Sequence, residues 1–146
     1  VLGINSKGDG FYQCGSDKVT WCAGHMLELC SPEDYDEKYS KWSMDHLPLI
    51  FIPWKYKVID GRGKQLKIIK SLINEATSIV HAGDSDDEGQ LLVDEILEYY
   101  GNKKPVQRLL INDNNPKVIR KALDTMKDNA TFYGLYQSAL ARSVAD

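Results

Sequence analysis

Asp84, Asp86 and Glu88 stand at every second position of one short stretch, with Asp87 between the last two. In extended backbone the side chains alternate with period two, so Asp84 and Asp86 send their carboxylates to the same side. Glu88 adds a third pair of oxygens where the following helix is expected to begin. Carboxylates held this close repel, and the crowding raises some of their pKa values unless a cation relieves it. A hard cation with oxygen ligands would do so. Mg²⁺ takes one or two carboxylates, keeps several waters and completes its shell with phosphate oxygens. Through such an ion an acidic loop could meet a phosphate that it would otherwise repel.

Two other readings of the same residues stay open. Acidic side chains just before a helix cap it and complement its dipole. The stretch also approaches a calcium-binding loop, with Asp84, Asp86, Gly89 and Glu95 at the first, third, sixth and twelfth positions of that pattern. Against the calcium loop, Glu88 stands where Asp or Asn belongs, the preceding residues read as strand rather than helix, and there is no second loop to pair with it.

The elements around the cluster are legible. Residues 78–82 are a short β-branched run that ends at Gly83. Residues 90–100 are helical, with Leu92, Ile96, Leu97 and Tyr100 apolar and Gly101-Asn102 as the stop. The cluster thus follows a strand directly, at the carboxyl end where open α/β folds bind ligands. Upstream, Leu66, Ile69, Ile73 and Ala76 recur at helical spacing, with Lys64, Lys67 and Lys70 on the opposite face. Downstream, residues 106–111 read as strand. Asn115 as N-cap with Pro116 behind it opens a helix over 117–127, and residues 135–144 form a last helix. Helix, strand, helix, strand, helix predicts an α/β fold with βαβ units and a mainly parallel sheet. Ahead of this region, residues 11–14 and 19–23 flank Gly15-Ser16-Asp17 as a hairpin. Residues 31–42 read as irregular surface, and residues 49–52 as either a strand or a packed loop.

Composition sets bounds. Hydrophobic residues make up 42% and charged ones 27% of 146 residues, enough for one domain with a real core. The net charge of −3 is not the basic footprint of a free-standing DNA binder, so contact with DNA would need a metal, a local basic patch or other domains. Cys14, Cys22 and Cys30 are odd in number and lack a C-x-x-C pair, which predicts reduced, buried thiols rather than disulfides or a zinc ribbon. The longest apolar stretch, residues 47–54, contains two prolines and is far too short to span a bilayer. With no signal peptide visible, a cytoplasmic setting is the expectation.

The run His81-Ala82-Gly83-Asp84-Ser85-Asp86-Asp87-Glu88-Gly89-Gln90 resembles the D-x-D-x-E-G motif region of Toprim domains, in the form found in bacterial type IA topoisomerases of the topoisomerase III kind. Trp21-Cys22-Ala23-Gly24-His25-Met26-Leu27-Glu28 is similar to that family's Gly-His segment. Lys64-Gln65-Leu66 matches the start of its helix, and Leu110-Ile111-Asn112-Asp113-Asn114-Asn115-Pro116 its later strand-to-helix turn. Ser138-Ala139-Leu140-Ala141-Arg142, ending at Asp146, resembles the start of its next domain. Five matches in order cover nearly the whole chain.

The resemblance implies a Rossmann-like Toprim domain over residues 1–137, with the opening strand and the start of the first helix missing, and the next domain beginning at 138–146. It implies Mg²⁺ held by Asp84, Asp86 and Glu88, with Glu88 and His25 in the catalytic machinery and Arg142 on DNA. Lys64, with Lys67, Lys70 and the nearby Arg62, forms a basic stripe that could track a DNA backbone. The parent enzyme would cut one strand through a phosphotyrosine, pass another and reseal, without ATP. The partners would be a single-stranded region of DNA and the remaining topoisomerase domains, with no membrane. The resemblance leaves a Toprim domain of a primase or nuclease as an alternative. A calcium-binding or acidic interaction module is the non-enzymatic one.

There are three departures from the family pattern. Its opening-strand glutamate and lysine are absent here. Asp87 stands where arginine is usual, and Ser85 where proline is common. None of the eight tyrosines falls in the nucleophile's motif. Beyond these, His81 is expected in the core, His46 carries no signal, and Trp21, Trp42 and Trp54 are expected to anchor core or loops rather than stack on bases.

Overall fold

The computed structural model describes residues 1–145. The chain opens with an antiparallel meander of β1 (Ser6–Gly8), β2 (Phe11–Cys14) and β3 (Asp17–Thr20), in which Tyr12 faces Lys7 on one side and Val19 on the other. Gly15, at a φ of +65°, makes the tight return between β2 and β3. The expected hairpin is therefore a three-stranded sheet, and its third strand stops at Thr20, so Trp21, Cys22 and Ala23 leave the sheet.

The main core forms where β4 (Leu27–Leu29), paired antiparallel with β5 (Tyr56–Val58), meets α2 (Gly63–Glu75) and α3 (Asp87–Tyr99). Met26, Leu27, Leu66, Ile69 and Ile96 are buried together, with Cys22, Tyr56, Ile73 and Tyr100 packed around them. Each fully buried aliphatic side chain contributes about 2 kcal/mol by leaving water. The helical spacing of Leu66, Ile69 and Ile73 is what turns one face of α2 inward. At its end, the Lys104 ammonium donates to the carbonyls of Ile73 and Asn74 at 2.5 and 2.6 Å, two groups that the helix leaves without partners. Just past the C-cap Tyr100, α3 is closed off by Gly101, whose φ of +60° lets the amides of Gly101 and Asn102 return to the carbonyls of Glu98 and Leu97.

β6 (Ile79–His81) and β7 (Val106–Arg108) lie parallel, joined by α3 as one βαβ crossover. α4 (Pro116–Asp124) follows, capped by Asn115, whose side chain accepts from the Lys117 amide. The chain then reverses into β8 (Lys127–Asp128), antiparallel to β7. α5 (Tyr133–Ala145) packs on α3, burying Leu91 against Tyr136 and Ala139. The expected mainly parallel sheet is thus corrected. Among the described residues one strand pair is parallel and every other pair antiparallel. Parallel neighbours need a crossover between them, and only α3 supplies one, because β5 pairs with β4 rather than with β6.

Residues 49–52 form no strand. Phe51 stacks on Tyr35 with centroids 4.3 Å apart, while Ile50 and Ile52 are exposed. Residues 31–42 hold only the single turn α1 (Pro32–Tyr35) and a 3₁₀ turn over Glu37–Ser40. All three cysteines are free, but only Cys14 is fully buried. Trp42 is 79% exposed and anchors neither core nor loop. No helix among the described residues is long and apolar enough to cross a membrane.

Candidate metal centre

The acidic loop runs from the end of β6 to the start of α3, with Asp84, Ser85 and Asp86 on the open surface. Two glycines lock its ends together. A Cβ on Gly89 would lie 2.5 Å from the carbonyl oxygen and 2.6 Å from the nitrogen of Asp84. Any side chain at position 89 would therefore push the loop off the helix. The His81 imidazole, fully buried as expected, seats the other end. Its Nδ1 accepts from the Gly83 amide at 3.2 Å, so Nε2 carries the proton and donates to the Gln90 carbonyl. Burial, and then the charge of Arg108, holds its pKa below the usual histidine value.

Beneath the loop lies a guanidinium that sequence reasoning missed. Arg108 on β7 is 1% exposed. Its Nε donates to Gln90 Oε1 at 2.8 Å, Nη1 to the carbonyls of Gly83 and Leu109 at 2.7 and 3.0 Å, and Nη2 to the carbonyl of Asp84 at 2.5 Å. Gln90 Nε2 in turn donates to Asp94 and Asn129, and Asn129 closes the ring on Asp94. A permanent positive charge thus sits under the acidic loop and grips its backbone. The available signal was an arginine inside an apolar strand run, since charged groups are fully buried only when paired.

The three carboxylates differ in what holds them. Asp86 is the N-cap of α3, with Oδ1 accepting from the Gly89 amide at 2.7 Å, so the capping reading holds for this residue. Asp84 is exposed, and its carboxylate has no hydrogen bond among the described residues. Glu88 is bound by His25, whose Nε2 lies 2.5 Å from Glu88 Oε1. The other ring nitrogen, Nδ1, meets Oε1 of Glu95 at 3.0 Å. Glu95 is 3% exposed, and burial first, with the Glu88 charge behind it, pushes its pKa up to about 7. Burial pulls His25 down, but the hydrogen bonds to Glu88 and Glu95 outweigh it and leave the imidazole above its ordinary value. In the sequence alone, Glu95 carries no signal beyond its place in the calcium-loop pattern. The calcium loop itself is overturned, because β6 rather than a helix precedes Asp84 and Glu95 lies inside α3.

Among the described residues no three Asp, Glu, His or Cys side chains converge as a metal cage. The donors present are exposed carboxylate oxygens on one loop. That set fits a hard divalent ion that keeps most of its water, and not a closed structural site. Arg142 reaches the loop from α5, where it forms an ion pair with Asp87. Lys64 does not join them. Its ammonium is held by Asp9 at 2.9 Å and is largely exposed. Asp146 lies outside the described residues.

Residues 5–114 match the model of the Toprim domain. The chain belongs to the Toprim family. Toprim domains bind divalent metal ions, in keeping with the oxygen donors of this one. This Toprim chain is similar to proteins named DNA topoisomerase 3. That of Salmonella typhimurium is 45% identical over 145 residues, 96% of this chain and 22% of the relative. That of Vibrio cholerae is 46% identical over 147 residues, 97% and 23%. That of Staphylococcus aureus is 39% identical over 148 residues, 100% and 21%. The Toprim chain therefore spans less than a quarter of the length of these relatives.

Proposed function

We propose that this chain is the metal-handling part of a type IA DNA topoisomerase, with Asp84, Asp86 and Glu88 holding Mg²⁺ beside the phosphate to be cleaved and resealed. The observation that carries the reading is the acidic loop at the carboxyl end of a parallel strand pair, open to solvent and gripped from below by Arg108. An open surface suits a polymeric substrate rather than a small molecule. A cleft of about 360 Å³ lies elsewhere, between Leu97, Lys104, Asn129, Tyr133 and Tyr136. Mg²⁺, when bound, supplies electrostatic stabilisation and a template for phosphate oxygens.

The chain's own residues do the rest. Asp84 and Asp86 present oxygens from a loop whose ends are fixed. Glu88, tethered by His25, presents a third from the first turn of α3. Arg142, at the joint between α3 and α5, neutralises a backbone phosphate once released from Asp87. Lys64 adds positive charge in the first turn of α2 once released from Asp9. Residues 138–146 begin the next domain of the enzyme, so the α3–α5 contact ties the acidic loop to that domain. The nucleophilic tyrosine comes from a part of the polypeptide other than these residues, which are expected not to relax DNA alone. The setting is cytoplasmic, and the substrate is a single-stranded stretch of DNA.

The test is relaxation of negatively supercoiled DNA by the full-length polypeptide in Mg²⁺. Chelation with EDTA, and the Asp84→Asn/Asp86→Asn double substitution, are each expected to abolish relaxation. Relaxation at the unmodified rate in either case would overturn the proposal.

A further inference from the structure

Glu88 and Glu95 are seven residues apart on α3, so they lie on one face two turns from each other, roughly 10 Å along the axis. They are too far apart to touch, and His25 fills the gap, with one ring nitrogen on each. The imidazole is not free to wander. Met26 and Leu27, the next two residues, are 0% and 2% exposed in the main core. Glu95 is buried against that same core, and among the described residues its one hydrogen-bond partner is His25. A buried carboxyl with a single partner is costly, and an apolar residue of similar volume would pack there at lower free energy. Cys22 and Tyr56 beside it offer no compensating charge.

We propose that Glu95 is a positioning residue for the acidic site, orienting His25 so that its far nitrogen fixes one oxygen of Glu88 and leaves the other for a divalent cation. The inference rests on the metal reading of Asp84, Asp86 and Glu88. Groups that hold a ligating carboxylate from behind set its direction, and their loss weakens metal binding by about 10- to 100-fold. Glu95 acts only through His25, so the two residues form one unit rather than two separate contributions.

The test is Mn²⁺ titration of the full-length protein at pH 7.5, counting free ion by its electron paramagnetic resonance signal. Glu95→Gln and His25→Ala are each expected to weaken the site by about tenfold. The double variant should be no weaker than either single one, the mark of coupled residues. Glu95→Met, which keeps the length of the buried side chain, replaces Glu95→Gln if the amide does not fold. Asp84→Asn/Asp86→Asn separates the two levels of the reading. If that variant binds Mn²⁺ as the unmodified protein does, the metal reading fails and this inference falls with it. If it abolishes binding while Glu95→Gln or His25→Ala binds normally, positioning alone is overturned. Independent losses that multiply in the double variant overturn it as well.

Discussion

Replacing Arg108 by Met keeps most of the buried volume and removes every donor. Gln90 Oε1 and the carbonyls of Gly83, Asp84 and Leu109 then lose hydrogen bonds of 2.5 to 3.0 Å from a cation. The His81 carbonyl keeps a partner, because it also accepts from the Leu109 amide at 2.9 Å. An acceptor left unsatisfied in a buried place costs about 1–3 kcal/mol. Part of the loop is within reach of water, so the lower end applies there, and the whole change should cost about 4 kcal/mol. That is a large share of the roughly 5–15 kcal/mol that holds a domain together. Urea unfolding followed by circular dichroism should show a midpoint lowered by about 2 M, for a slope of about 2 kcal/mol per M. Arg108→Lys retains the charge without the fork and should recover only part of the loss. Amide hydrogen exchange at residues 83–86 should speed up in both variants. A loss below about 1 kcal/mol for Arg108→Met, with exchange unchanged, would refute the view that this guanidinium holds the loop.

Four further outcomes are expected. Glu95 has its pKa raised to about 7 from an ordinary 4.5, so the folded state binds this proton more tightly than the unfolded one. Its contribution is fully present below about pH 4.5 and is lost as pH rises through about 7. Urea unfolding at pH 5 and pH 8 should thus show the unmodified chain losing about 3 kcal/mol relative to Glu95→Gln, and equal pH slopes would count against it. Asp86→Ala should cost about 1 kcal/mol as a lost cap, while Asp86→Ser restores the cap but not Mn²⁺ affinity, read by thermal melting and metal titration. Gly89→Ala forces a methyl group onto the Asp84 backbone and should cost about 3 kcal/mol in the same unfolding assay. Asp87→Arg breaks an exposed ion pair, so stability should move by less than about 1 kcal/mol, while DNA affinity of the full-length protein rises with a steeper salt dependence.

Much of this was legible in the residues. The helical spacing of Leu66, Ile69 and Ile73 announced α2, and Asn115-Pro116 marked the start of α4. The strand before Asp84 and the helix after it placed the acidic loop correctly between them. Sheet order was not legible, because periodicity reports which face of a strand is buried and not which strand lies beside it. The alternation of helix and strand from residue 64 suggested several parallel neighbours. Two residues of turn after α4, Thr125 and Met126, were enough to send β8 back the other way. The buried polar groups were hidden for a related reason. Glu95 and Arg108 look like surface charges until their partners are known, and those partners, His25 and the Gly83 and Asp84 carbonyls, lie 70, 25 and 24 residues away in sequence. The Arg142–Asp87 pair belongs to the same class, since α5 had to fold onto α3 before the two could meet.

The interlocked glycines at 83 and 89 have a consequence for how such a site can drift. With the backbone pinned at both ends, the direction of each intervening residue is decided by the main chain and not by what its side chain happens to be. Positions 85 and 87 can then change chemistry while 84, 86 and 88 stay where they are. Here Ser85 reaches across to Asn112 at 2.7 Å, and Asp87 pairs with a cation from a distant helix. A reversal of charge at one rung of the loop therefore leaves the other rungs undisturbed, so the grip on substrate can be retuned without rebuilding the frame.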